Sequence, residues 1–198
     1  SSTYEPSSKT KMKLRAAPGA GTMYLQSECA EALAELFAGA EEAGYKLYLK
    51  SAYRAYKTQK TMYNNRLERN NGKDDGWVSK PGASDHQTGL GCDVVPGSWK
   101  DKSMNSNMAS TPECQWMAEH CYEYGFVIRY PEDKQDITEI NYEPWHLRYV
   151  GKEVARYIWR NGLCLEEFHE QLQAAIDAYL AAGGDARRVE DLIQTSAE

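Results

Sequence analysis

The stretch Glu143-Pro144-Trp145-His146-Leu147-Arg148-Tyr149-Val150-Gly151 places a carboxylate three residues before an imidazole, with a proline between them and a strand-like run behind. Proline has no amide hydrogen and its ring clashes with the preceding helical turn, so this segment cannot be an ordinary helix interior. The two-histidine helix of the common zinc proteases is therefore excluded here. A second cluster upstream, Ser84-Asp85-His86-Gln87-Thr88-Gly89-Leu90-Gly91-Cys92-Asp93, supplies what the first lacks. His86 and Asp93 lie seven residues apart, and Gly89 and Gly91 between them let the backbone turn back to the same point.

Imidazole nitrogen and carboxylate oxygen both suit Zn²⁺. With His146, the residues His86 and Asp93 make three protein ligands and leave the fourth position to water, the pattern of a catalytic site for one zinc ion. Glu143 is the natural general base, because a carboxylate beside a metal-activated water can take its proton and later return it to a leaving amine. Its spacing from His146 equally allows a fourth ligand or a loop salt bridge. Arg54 stands at the exit of an expected strand, where it could stabilise the oxyanion of an attacked peptide carbonyl or simply be a surface charge. The other histidines, His120 and His169, fall on polar helical faces and are read as surface or satisfied residues. This inventory points to a zinc peptidase.

A chain of 198 residues can bury a sizeable core in one domain, with or without a helical appendage. The net charge of −6 argues against a nucleic-acid partner. No glycine-rich phosphate loop follows a strand and no Cys-x-x-Cys occurs, so neither a nucleotide cofactor nor dithiol redox chemistry is expected. No apolar run reaches the length needed to span a membrane. The chain starts with Ser1 and not with methionine, as expected of a mature or shortened form. Cys114 and Cys121 would be roughly 10 Å apart along one helix, too far to bridge. A disulfide from Cys92 to one of them is the pairing to look for, and an odd count of five leaves at least one thiol unpaired.

Patterning divides the chain into an irregular arm over 1–27, poorly ordered at its start, a zinc peptidase domain over 28–182, and a tail or short helix over 183–198. Ser27 is placed to cap a helix with Ala30, Leu33, Ala34, Phe37 and Ala40 at helical spacing. Tyr45 to Tyr53 alternates as a strand, 56–69 reads as a helix, and 70–83 as a loop. Cys92 to Val95 reads as a short buried strand, and Thr111-Pro112 opens a helix closed by Gly125. Phe126 to Tyr130 is a further strand, and 151–161, 164–182 and 185–193 are helical. Irregular alternation with short connections predicts an α+β fold with antiparallel pairing.

Ser51-Ala52-Tyr53-Arg54 with Gln59, Ser84-Asp85-His86 with Gly89 and Asp93, and the run from Glu143 to Gly151 together resemble the VanY-like D-alanyl-D-alanine carboxypeptidases. Tyr124 to Lys134 is similar to the segment before the last motif in that family, and the likeness spans roughly 28–170. The family sits among zinc peptidases that include VanX-type dipeptidases and L,D-carboxypeptidases. The resemblance implies a small antiparallel sheet flanked by helices with the zinc site in a cleft on the sheet. It implies ligation by His86, Asp93 and His146, a base role for Glu143 and transition-state stabilisation by Arg54. Ser84 would hydrogen-bond the substrate, Gln59 and Ser51 would line the cleft, and Trp145 would form an apolar wall. Ala52, Ala55 and Cys92 depart from the family's usual glycine, serine and small apolar residue. Peptidoglycan stem peptides are the implied partner, with action outside the membrane, an anchor absent from this chain, and a monomeric state. A D,D-carboxypeptidase releasing the terminal D-alanine is expected, which would remove the target of glycopeptide antibiotics. The alternatives are an L,D-carboxypeptidase on tetrapeptide stems and a catalytically silent wall-binding domain.

Overall fold

In the computed structural model, residues 1–189 are described. Two short strands, β1 (Thr10–Lys11) and β2 (Tyr24–Leu25), form an antiparallel ribbon within the N-terminal arm. The arm was expected to be irregular. The ribbon forms because Leu25 is fully buried against the core, and a bridge from Ala16 to Leu49 holds the intervening loop down. Helix α1 (Ser27–Glu42) follows. Its cap position is Gln26 and not Ser27, whose hydroxyl instead bonds Thr10 Oγ1 at 2.9 Å across to β1. Tertiary contact has won over the capping signal.

The buried stripe of α1, including Leu33, Leu36 and Phe37, packs with the sheet residues Leu47, Leu49 and Val94 in one core. The sheet is built from β3 (Leu47–Ser51), β4 (Gly91–Pro96), β5 (Phe126–Ile128) and β6 (His146–Tyr149), all antiparallel in the order β3-β4-β6-β5. Around it lie α2 (Tyr56–Arg69), α3 (Pro112–His120), the single turn α4 (Gln135–Thr138), α5 (Lys152–Asn161) and α6 (Leu165–Ala181). Thr111 caps α3 through its hydroxyl, with proline at the first helical position, as the sequence predicts. Beyond His120 the helix tightens into a 3₁₀ turn over Cys121–Tyr124, and Gly125 in the left-handed region ends it. After α6, a helical turn covers 186–189, and the rest of the helix expected over 185–193 lies outside the described residues.

All five cysteines are free and buried. No disulfide joins Cys92 to Cys114 or Cys121. Cys92 instead lies close to Cys29 of α1, on the strand face opposite to Asp93, and burial pushes its thiol well above the ordinary range. Among the described residues, no helix is long and apolar enough to cross a membrane.

Leu33 is fully buried in α1 and remote in sequence from every candidate site residue. Leu33→Ala is expected to cost about 2–5 kcal/mol through lost burial and a residual cavity. Urea unfolding would read this as a lower midpoint at an unchanged slope.

Candidate metal centre and its cleft

Strand register brings the first two candidates together. Asp93 of β4 is the direct cross-strand partner of His146 at the start of β6, and Ser51 of β3 pairs with Asp93 on the other side. Directly opposed residues in an antiparallel pair project to the same face. His146 Nδ1 therefore lies 3.2 Å from Asp93 Oδ1. The tight turn Glu143–His146 is closed by His146 N donating to Glu143 O at 3.0 Å, with Pro144 at the position that prefers its fixed φ. That turn brings Glu143 Oε2 to 3.4 Å from His146 Nδ1.

His86 arrives from a 3₁₀ turn over Asp85–Thr88, ended by Gly89 at φ 70°. Its Nδ1–H donates to Ala52 O at 2.7 Å, which fixes the ring and turns Nε2 toward Asp93 Oδ2, 3.4 Å away. One ligand atom from each of His86, Asp93 and His146 lies within 4.8 Å of the others, and all three residues are buried. Asp93 Oδ1 and His146 Nε2 find no hydrogen-bond partner in the protein. Buried polar atoms are normally satisfied, so an orphaned oxygen on a carboxylate set between two imidazoles fits a cation. The nitrogen and oxygen donors suit zinc.

The electrostatics demand positive charge at this point. Burial alone would raise the Asp93 carboxyl, but His86 and His146 outweigh it and hold the group far below the usual range. Burial would lower His146, yet Asp93 and Glu143 push it up to about 9. A metal ion answers the same demand, and its binding releases that proton. Glu143 itself is raised by burial, partly offset by His146, which suits a proton acceptor.

The three candidate ligands form the floor of a cleft of about 420 Å³ that also takes in Glu143, Arg54, Ser84, Gln59 and Trp145. Arg54 donates from Nη1 to Gln59 Oε1 at 2.8 Å and from Nη2 to Ser51 Oγ at 3.1 Å. Gln59 in turn donates to Ser79 O at 2.7 Å. Ser51 and Gln59, expected to line the cleft, thus hold the guanidinium in place. Burial lowers the Arg54 pKa, an effect that Asp93 and Glu143 oppose. Trp145 is buried and stacks on Trp77 with ring centroids 6.5 Å apart, making one wall. His120 bonds Glu123 at 2.9 Å outside this site.

A family model described as "VanY: D-alanyl-D-alanine carboxypeptidase" matches residues 22–152. The chain belongs to the VanY family. Among its curated relatives is the "Putative carboxypeptidase YodJ" of Bacillus subtilis, 42% identical over 151 residues, which are 76% of this chain and 55% of that protein. This VanY-family chain spans about half the length of several curated relatives that it matches. A solved structure of the LdcB LD-carboxypeptidase superposes with a TM-score of 0.80 at 39% identity, covering 86% of this chain and 80% of LdcB. A vancomycin-resistance D,D-pentapeptidase VanY, solved as a variant in complex with Zn(II), gives a TM-score of 0.68 at 29% identity, covering 85% of this chain and 92% of its own.

Motif reading gave no weight to three residues that lie behind the candidate centre of this VanY-family chain. Asp85 was quoted only as part of a motif, and Arg129 and Arg148 had no role. Arg148 Nη1 donates to Asp85 Oδ1 at 2.6 Å, and Arg129 Nε lies 2.8 Å from Asp85 Oδ2. Burial would raise the Asp85 carboxyl, but the two arginines hold it below the usual range. Two arginines closing on one buried aspartate, Arg129 from just past β5 and Arg148 from β6, leave no local signal in the chain.

Gly91 makes the return from His86 to Asp93 possible, because a Cβ there would come within 2.8 Å of Asp85 Cβ and 3.0 Å of the Asp85 carbonyl carbon. Gly91→Ala is expected to cost about 1–3 kcal/mol through this overpacking. A thermal melt would read the loss, and an unchanged midpoint would show that the turn gives way freely.

Proposed function

We propose that this chain is a zinc carboxypeptidase that removes the C-terminal D-alanine from peptidoglycan stem peptides outside the membrane. The observation that carries this reading is the convergence of His86, Asp93 and His146 on one point at the floor of a cleft that also holds Glu143 and Arg54. His86 through Nε2, Asp93 through its carboxylate and His146 through Nδ1 would hold the ion. Bound there, zinc would supply Lewis-acid polarisation of the scissile carbonyl and would lower the pKa of the attacking water. Glu143 takes one proton from that water as its oxygen adds to the carbonyl carbon. It passes the proton to the amine nitrogen as the carbon–nitrogen bond breaks. Arg54, held by Ser51 and Gln59, donates to the oxygen on which negative charge develops. Ser84 binds the substrate beside the ion, and Trp145 on Trp77 excludes water from one side.

The bond cleaved is the finer question. Higher identity and TM-score to the LdcB LD-carboxypeptidase than to the D,D-pentapeptidase favour an L,D-carboxypeptidase acting on tetrapeptide stems. The D,D reading expected from the motifs is the second, supported by the family description. A silent wall-binding domain is disfavoured because ligand set, base and arginine are all present.

Glu143→Ala is expected to retain stoichiometric zinc while losing roughly 10²–10⁴-fold in kcat. His86→Ala should lose metal and activity together. Zinc analysis beside a turnover assay checks both, and a Glu143→Ala protein with full turnover would remove the base assignment.

Mass spectrometry of the zinc-loaded protein with two muropeptides decides the bond. Loss of alanine from a tetrapeptide stem alone establishes the L,D reading, and loss of one alanine from a pentapeptide ending in D-Ala-D-Ala alone establishes the D,D reading. Zinc without hydrolysis of either would revive the wall-binding alternative.

A further inference from the structure

His146 offers Nδ1 to the candidate metal centre, and its other nitrogen, Nε2, is buried with no hydrogen-bond partner. The group facing it is Asp85 Oδ2, 3.9 Å away and likewise without a hydrogen-bond partner. Asp85 is itself clamped. Arg148 donates to its Oδ1 at 2.6 Å, and Arg129 Nε makes a charge contact with Oδ2 at 2.8 Å that lacks hydrogen-bond geometry. Arg129 is in turn gripped from the first turn of α6, donating to Glu166 Oε1 at 2.6 Å and Oε2 at 3.0 Å. The line of charges runs Glu166, Arg129, Asp85, His146.

A ligating imidazole that donates its second N–H to a carboxylate is fixed in tautomer and orientation and gains basicity toward the metal. Asp85 Oδ2, at 3.9 Å beyond hydrogen-bond range, is the carboxylate oxygen on that side of the ring. A carboxylate does this only if its own position is fixed, and Arg148 on β6 with Arg129 just past the end of β5 provide that. Glu166 lies beyond residues 22–152, the stretch matched by the family model. The bidentate pair with Arg129 gives α6, none of whose residues is fully buried, a reason to dock where it does.

We propose that Asp85 is the positioning residue for His146, and that Glu166 at the start of α6 sets Asp85 through Arg129. The proposal rests on the zinc reading of the site, and its test separates the two.

The full chain, stripped of metal, is titrated with Zn²⁺ against a chromophoric chelator, and the ¹⁵N signals of the His146 imidazole are recorded without metal. Parent, Asp85→Asn, Asp85→Glu and Glu166→Gln proteins are compared. At alkaline pH, where the metal-free ring holds a single proton, the parent should carry it on Nε2. Asp85→Asn should bind zinc about 10–100-fold more weakly and lose that imidazole signature. Asp85→Glu should restore most of both, a rescue that a purely structural role would not produce. Glu166→Gln keeps the Asp85 carboxylate but loosens its hold through Arg129, and should weaken zinc about threefold or more. It keeps the test decisive if Asp85→Asn fails to fold. Zinc affinity within about twofold of the parent in the folded variants, with the His146 signals unmoved, would overturn the proposal. A parent that takes up no zinc would instead sink the metal reading, and the ¹⁵N comparison alone would then decide whether Asp85 sets His146.

Discussion

The pairing of Asp93 with His146 across two neighbouring strands is the constraint on which the rest of this structure depends. A slip of one residue between β4 and β6 would turn every side chain of one strand to the opposite face. Asp93 would then enter the apolar core and Cys92 would enter the cleft. The present register is held from behind by Val94, Leu147 and Leu49, all fully buried. The same hydrophobic packing that stabilises the sheet therefore places two oppositely charged groups side by side on its other face. Ser51 extends the row by one strand, and Arg54 leaves the sheet just beyond it.

That arrangement gathers an unusual density of buried charge, and the protein answers it in two ways. At the cleft floor, Asp93 and Glu143 crowd the edge of one imidazole, so a cation is favoured between them. Behind that imidazole, Asp85 is neutralised by Arg129 and Arg148. Burying a carboxylate without such partners would be strongly destabilising. Asp93 and Asp85 each have partners from a different part of the chain. The site is thus supported by elements as distant as the first turn of α6, which contributes Glu166.

Much of this was written locally. Pro144 between Glu143 and His146 demands a turn, and the turn is what aims both groups at one point. Gly89 and Gly91 announce that the backbone reverses between His86 and Asp93. Thr111-Pro112 marks the start of α3 because capping depends only on neighbouring backbone amides. Where a residue's role depends on a distant partner, local reading fell short. Ser27 looked like a cap but bonds to β1. Gln59 lines the cleft, but that it and Ser51 also brace Arg54 was not legible. Cys92 looked available for a disulfide, yet its strand face carries it toward Cys29.

From sequence alone, the chemical inventory was determined: the candidate donor atoms, a carboxylate and an arginine beside them, and the turns that permit them to meet. Those properties follow from residue type and from short-range backbone rules. Only the tertiary structure decided which side chains hold the others in place. The contacts of Asp85 with Arg129, Arg148 and His146, and of Arg129 with Glu166, join residues separated by tens of positions along the chain. Such contacts exist only once the strands have paired and α6 has docked, because buried charges find their partners through packing and not through spacing.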